Sequence, residues 1–201
     1  MTNASLFLSG RRPLAPADSM TGDDAELLRR AGDGEHEALR LLYERHRRAV
    51  FGYLLSLTGG QSESEELLQD TFVVAWRTAG SFRSRSTVLT WLLGIARRRA
   101  RDQARRRLPE LTGLEQVEMA APTEGPAETV IARAELIEVA RLIRSLSPLQ
   151  REVLHLVFVE QLSYRETAAV LGVSPGTVAS RLSAARTALA GRLSERGESS
   201  R

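Results

Sequence analysis

Apolar residues recur three or four positions apart along two stretches of the chain, which is the spacing of the buried face of an amphipathic helix. The apolar positions of the first stretch begin with Leu27, Leu28, Ala31, Leu39, Leu42, Tyr43, Val50, Tyr53, Leu54 and Leu57. No segment stands out with the alternating pattern of a half-buried strand. The pattern therefore predicts an all-α protein.

Helix breakers and capping residues divide the first stretch. Gly59 and Gly60 interrupt the apolar pattern, and Ser62 with Glu65 three residues later predicts a capping box for the next helix, which runs to Trp76. A polar loop follows Gly80. Thr87 is then expected to cap a further helix whose apolar positions lead into a cluster of arginines.

The second stretch starts near Thr129, and Ser147-Pro148-Leu149-Gln150 predicts the start of another helix within it. Two short helices joined by a tight turn then follow. Ser163 and Glu166 form a capping-box pattern, and Gly172 suits the left-handed conformation that ends a helix. This arrangement is typical of a helix-turn-helix.

The second of these two helices has one apolar and one polar face. Ser174 is expected to cap it, with Pro175 at its first position. Its apolar positions, three or four residues apart, are Val178, Leu182, Ala185 and Leu189. Thr177, Ser180 and Arg181 lie on the other face, which offers the hydrogen-bonding groups that read base edges in a major groove. The sequence therefore predicts DNA binding.

These signals predict two small helical domains joined by a flexible linker, with the helix-turn-helix in the C-terminal domain. Prolines and glycines mark the linker. The expected segments are a flexible tail at 1–22, a helical domain at 23–108, an acidic Pro/Gly linker at 109–128, a helix-turn-helix domain at 129–194 and a C-terminal tail at 195–201.

Composition narrows the class of protein. The 201 residues are 42% hydrophobic, enough for globular cores, and the absence of cysteine rules out disulfides and thiolate zinc sites. Without cysteine, a reducing interior is the natural compartment, so we expect a cytoplasmic protein. The sequence shows neither a secretory signal nor a run long enough to span a membrane, so no membrane insertion is expected.

Positive charge is concentrated in one place. The net charge is only +3, but all 28 basic residues are arginine, a bias that fits phosphate binding and also a GC-rich genome. Seven arginines fall within residues 97–107, and the segment 108–140 that follows holds seven glutamates and one arginine. In a chain with a helix-turn-helix, a track for nucleic-acid phosphates is at least as plausible as a merely solvated helix end.

Four segments together resemble the extracytoplasmic-function sigma factors of bacterial RNA polymerase, over about residues 25–192. The helix 64–76 is similar to the helix of that family that binds the polymerase core, and 90–97 to its promoter −10 helix. Segments 146–154 and 162–168 are similar to the start of its C-terminal module. The resemblance implies a region 2-like domain at 23–108 and a region 4-like domain at 129–194.

The resemblance also implies site residues. Those expected to bind core RNA polymerase are Glu65, Glu66, Leu68, Gln69, Asp70 and Phe72, although Leu68 and Phe72 equally fit a core pair. Those expected to hold melted −10 DNA are Phe82, Arg83, Arg85, Ser86, Thr87, Arg97, Arg98 and Arg101, whereas Trp91 is expected to pack in the core. Those expected to contact −35 duplex are Arg165, Ser174, Thr177, Ser180, Arg181 and Arg186.

The expected partners are core RNA polymerase, promoter DNA and an anti-sigma factor; no cofactor, metal or catalytic residue is expected. A stand-alone helix-turn-helix regulator would explain residues 129–192 but not the arginine-ended first domain. An enzyme acting on nucleic acid is disfavoured, because His36, His46 and His155 are scattered and zero lysine excludes a lysine-containing phosphate loop.

Overall fold

We describe the fold from a computed structural model, in which residues 21–107, 142–143 and 145–199 are described. These residues form seven α-helices and no strand, as the sequence predicts. The helices are α1 (Thr21–Gly32), α2 (His36–Thr58), α3 (Gln61–Arg77), α4 (Val88–Arg107), α5 (Pro148–Leu154), α6 (Tyr164–Leu171) and α7 (Pro175–Ser199). A 3₁₀ turn (Ala79–Ser81) follows α3, and a π-helical turn (His155–Val159) continues α5.

The first domain consists of α1–α4. Helix α2 packs against α1, α3 and α4, so that it occupies the centre of the domain. Tyr53, Leu54, Leu92 and Leu93 are fully buried between these helices. Burying a side chain of this size contributes about 1.5–3 kcal/mol, so the apolar periodicity of the sequence accounts for the packing.

The connection from α2 to α3 differs from the prediction. Gly59 adopts a left-handed conformation (φ 74°) and ends α2, and Gly60 stands at the N-cap of α3 without a side-chain cap. The carbonyl of Gly60 accepts hydrogen bonds from the backbone N–H and the hydroxyl of Ser64. Ser62 lies inside the first turn of the helix, so the capping box predicted for it was wrong.

The second domain shows the predicted local signals. Ser147 with Gln150, and Ser163 with Glu166, both form capping boxes, which confirms the two helix starts. Gly172 ends α6 in a left-handed conformation (φ 64°). The apolar stripe of α7 is buried at Val178, Leu182 and Ala185.

Several segment boundaries fall differently or lie beyond what the structure describes. Helix α1 begins at Thr21, and α7 continues to Ser199, past residue 194 where the sequence placed the end of the domain. The N-terminal tail to residue 20, the acidic linker 109–128, Thr129 and residues 130–141 lie outside the described residues.

The two domains pack against each other. Helix α6 lies against α4, and α2 contacts both α5 and the π-helical turn. As a result, buried side chains from both domains belong to one hydrophobic cluster, which includes Leu92, Ile95, Val157 and Ala168. The sequence predicts two domains on a tether and gives no sign of this contact.

The Ser163 cap provides a test of the second domain. Ser163→Ala removes the hydroxyl that accepts from the backbone of Glu166, and we expect a loss of about 1 kcal/mol in the free energy of unfolding. Ser62→Ala is the matched control and should change it by less than about 0.5 kcal/mol, because the side chain of Ser62 does not cap α3. Urea unfolding followed by circular dichroism measures both; equal losses would contradict this assignment.

Candidate nucleic-acid interface

The start of α7 presents a small polar surface. The hydroxyl of Ser174 accepts from the backbone N–H of Thr177 at 3.1 Å, which caps the helix. The hydroxyls of Ser174 and Thr177 lie 2.9 Å apart, and that of Ser180 donates to the carbonyl of Thr177 at 3.0 Å. Ser174 and Ser180 are exposed, while Thr177 and Arg181 are partly exposed. Because Val178 on the opposite face of the helix is buried, this polar surface faces the solvent.

Two further arginines of this domain lie outside the polar face. Arg165 is exposed in the first turn of α6. Arg186 is partly buried along α7, more than one turn beyond Arg181. The structure therefore places Arg181 nearest the N-terminal end of the helix, with the two others at its flanks.

Helix α3 carries an acidic surface on the first domain. Glu65, Glu66, Gln69 and Asp70 are all exposed on this helix. Asp70 forms an ion pair with Arg99 of α4, with 2.6 Å between oxygen and nitrogen. This surface is polar, accessible and held by a helix that is packed on its other side.

Leu68 and Phe72 face away from that surface. Both are buried in the first domain, and the ring of Phe72 meets that of Tyr43 edge-on at 4.9 Å. The structure thus supports the reading of these two residues as a core pair, because their side chains are held among α2 and α3.

The loop between α3 and α4 is anchored at both ends. The ring of Phe82 packs against Trp91 at 5.5 Å, and Arg83 donates to the carbonyl of Gly80 at 2.7 Å. Thr87 accepts from the backbone N–H of Thr90, which confirms it as the cap of α4. Trp91 packs against the core as expected, leaving the segment with Arg85 and Ser86 at the surface.

The arginines of α4 have different environments. Arg98 and Arg101 are exposed, but the side chain of Arg97 is only 11% exposed. Its Nε donates to Oε1 of Glu152 at 2.7 Å, and Tyr53 donates its hydroxyl hydrogen to the same oxygen at 2.7 Å. A residue predicted to hold DNA is therefore engaged by a carboxylate of the other domain.

Burial and charge act on both partners of Glu152. Burial by itself lowers the pKa of Arg97, but the hydrogen bond to Glu152 and its negative charge outweigh burial and leave that pKa raised. Burial, followed by the charge of Glu152, raises the pKa of Tyr53 well above its ordinary value. Tyr53 therefore remains a neutral donor and Arg97 a cation throughout the physiological range.

Glu152 is the functional candidate that sequence reasoning missed. It stands within the apolar segment that contains Val153 and Leu156, and its side chain is only 7% exposed. A carboxylate in such a segment needs a cationic or hydrogen-bonding partner. That rule indicates the existence of a partner, whereas its identity depends on a contact between residues 55 positions apart.

The described part of the chain shows neither a metal site nor a membrane-spanning helix. There, no group of three or more His, Cys, Asp or Glu residues is arranged to hold a metal ion. Among the described helices, none has both the length and the apolar character needed to cross a membrane.

Comparison with known proteins agrees with this architecture. Residues 42–108 match the family described as Sigma-70 region 2, and residues 136–189 match Sigma-70, region 4. The chain is 32% identical to RNA polymerase sigma factor NccH of Alcaligenes xylosoxydans xylosoxydans, over 83% of this chain and 92% of that protein. It is 37% identical to ECF RNA polymerase sigma factor SigM of Mycobacterium tuberculosis, over 83% of each chain.

Two solved structures share the fold. CnrH in complex with the cytosolic domain of CnrY aligns with a TM-score of 0.63 at 28% identity, over 86% of this chain and 98% of CnrH. RpoE of Bartonella quintana in complex with the anti-sigma factor NepR aligns with a TM-score of 0.65 at 27% identity, over 77% of this chain and 96% of RpoE. The chain therefore belongs to the extracytoplasmic-function sigma factors, the DNA-binding initiation factors that direct bacterial RNA polymerase to promoters.

Proposed function

We propose that this sigma factor binds core RNA polymerase through the exposed face of α3 and recognises a promoter at two places. Helix α7 reads the −35 element as duplex, and the first domain holds the −10 element as separated single strand. The observation that carries the proposal is the capped, outward-facing polar surface of α7, in a chain whose other domain exposes Arg98 and Arg101 on α4.

Recognition of the −35 element rests on the chemistry of α7. Arg181 offers a guanidinium for bidentate hydrogen bonds to a guanine. The hydroxyls of Thr177 and Ser180 can donate a hydrogen bond to a base edge or accept one from it. Ser174 places the amino end of the helix, with its partial positive charge, toward the phosphates. Arg165 and Arg186 contact phosphates, which fixes the register of the domain without reading sequence.

Capture of the −10 element rests on the loop before α4 and on the helix itself. Phe82, packed against Trp91, shapes the end of the loop, while Arg83, Arg85, Ser86 and Thr87 lie beside the path of the strand. Contacts of an unstacked base with an aromatic ring or pocket are worth about 1–3 kcal/mol each, so a few offset several broken base pairs. In the promoter complex, Arg97, Arg98 and Arg101 hold the backbone.

We propose that the chain itself performs no chemistry and that polymerase catalyses phosphoryl transfer. Its place of action is then the cytoplasm, where polymerase and promoter DNA are found. RpoE, a structural relative, was solved with an anti-sigma factor, and we propose a partner of the same kind here. The acidic surface of α3 is accessible to either partner, so the two would compete for it.

The test of this function is transcription by purified core bacterial RNA polymerase on a pool of genomic fragments, with and without the chain. We expect discrete start sites that require the chain, and their alignment gives both promoter elements. If transcripts are absent and the chain alone protects duplex DNA from cleavage, it is a stand-alone regulator and the sigma assignment fails.

The acidic surface of α3 generates one prediction. Replacing Gln69 and Asp70 together with alanine should weaken binding to core polymerase about tenfold, because hot-spot residues, which cluster near the centre of an interface, cost more than 1 kcal/mol when truncated. Glu44→Ala is the matched control, since Glu44 is an exposed acid on α2 outside this surface. Titration of fluorescently labelled chain with core polymerase gives the affinities; equal affinities for both variants would exclude this surface.

The polar face of α7 generates another. Arg181→Ala should lose about 1–3 kcal/mol of discrimination at one base pair of the −35 element, because a bidentate contact is removed. Arg165→Ala should instead weaken binding to promoter and scrambled duplex alike. Competition binding by reconstituted holoenzyme separates the two effects. An equal loss on both duplexes for Arg181→Ala would reduce that residue to a phosphate contact.

A further inference from the structure

The contact between the two domains is centred on a buried ion pair. Arg97 of α4 reaches Glu152 of α5 through Nε at 2.7 Å and through Nη2 at 3.4 Å. The two side chains are only 11% and 7% exposed, so both charges are largely withdrawn from water. Such a pair costs desolvation of two ions and must be closely matched to persist.

Neighbouring contacts show that the ion pair is part of a domain interface. The hydroxyl of Tyr53 in α2 donates to Glu152, and the ring of Tyr53 lies 5.7 Å from that of His155 in the π-helical turn. Thr90 of α4 and Glu166 of α6 approach within 3.5 Å. Helix α6, the first helix of the helix-turn-helix, therefore covers part of α4.

The carboxylate of Glu152 and a DNA phosphate would bind the guanidinium of Arg97 in the same way. Both are anions with paired oxygens that accept hydrogen bonds from the planar guanidinium. With its Nε and Nη2 directed at Glu152 and its side chain largely buried, Arg97 presents to that carboxylate the edge of the guanidinium that would bind a phosphate through two hydrogen bonds. The pair and a phosphate contact through this edge therefore exclude each other.

We propose that the free chain is autoinhibited by this contact, in which Glu152 occupies Arg97 in place of a phosphate of the melted −10 strand and holds the helix-turn-helix domain over α4. The inference rests on the proposed function, since it takes Arg97 as a contact of the −10 strand. Binding to polymerase separates the domains and releases Arg97 for DNA.

The energetics of the pair suit a reversible contact. Breaking it returns both ions to water, so much of the Coulomb energy that is lost is recovered as hydration. Polymerase, by fixing the separation of the two domains, raises the effective concentration of each half-site for its DNA element. The contact is therefore expected to break when polymerase and promoter bind together and to stay formed in the free chain.

The absence of cysteine allows a direct measurement of domain separation. Exposed Ser62 in α3 and exposed Ser183 in α7, each replaced by cysteine, carry spin labels on the two domains without other reactive thiols. Pulsed electron–electron double resonance on the full chain should give one narrow distribution of distances between the two spin labels. Glu152→Gln, which keeps the shape but not the charge, and Glu152→Arg, which repels Arg97, should broaden it and add longer distances.

Two controls separate the interface from general loss of stability. Glu26→Gln removes an acid that pairs with Arg29 within α1 and should leave the distribution narrow. Combining Arg97→Glu with Glu152→Arg restores a pair of opposite charge and should narrow the distribution again. Circular dichroism on each variant verifies that the helices are formed.

Masking of the DNA-binding surface is tested in a separate binding experiment. Fluorescence anisotropy with a labelled random-sequence single-stranded DNA should show about tenfold tighter binding to Glu152→Gln than to the unmodified chain, equivalent to about 1.4 kcal/mol. Unchanged affinity would overturn masking, and a broad distance distribution in the unmodified chain, or a narrow one in both Glu152 variants, would overturn the closed contact. Failure of polymerase-dependent transcription with the unmodified chain would instead refute the sigma function. The distance measurement would still decide whether the two domains are in contact, because it does not depend on polymerase.

Discussion

A carboxylate buried between two domains must be neutralised, and in this protein Glu152 meets that requirement with Arg97 and Tyr53 of the other domain. The three side chains join α2 and α4 of the first domain to α5 of the second. Because a buried charge left without its partner is costly, the position of one domain over the other depends on this contact. The same contact leaves Arg97 largely buried, while Arg98 and Arg101 of α4 are exposed.

Each of the two domains carries its own DNA-binding surface. In the second domain, capping at Ser163 and Ser174 fixes the ends of α6 and α7, and burial of Val178 directs the polar face outward. In the first domain, the packing of Phe82 on Trp91 holds the loop that leads into α4. Recognition thus depends on rigid local structure, whereas the distance between the two sites depends on the interface.

Much of the local structure could be predicted from the sequence, because its causes lie within a few residues. The capping boxes at Ser147 and Ser163, and the glycine that ends α6, follow from rules of helix ends. The failure at Ser62 has an equally local cause. Gly59 takes the left-handed conformation, Gly60 becomes the N-cap, and the helix starts two residues earlier than the serine signal indicates.

The candidate sites were less predictable, because they depend on which face of a helix is buried and on contacts between distant residues. The family resemblance placed Leu68 and Phe72 with the acids of α3, whereas their spacing fitted a core pair, and the packing of α3 buries both. It grouped Arg97 with Arg98 and Arg101, although only Arg97 meets a carboxylate from the second domain. Periodicity identifies the helix but contains no information about that pairing.

The most direct test is a cryo-electron microscopy structure of the chain with core RNA polymerase on one of its own promoters, melted at the −10 element. The proposed release of Arg97 requires that α7 lies in the major groove of the −35 duplex, that Arg97 and Glu152 are separated, and that Arg97 contacts the backbone of the −10 strand. An initiation complex in which Arg97 and Glu152 remain paired, with α6 still lying against α4, would contradict it.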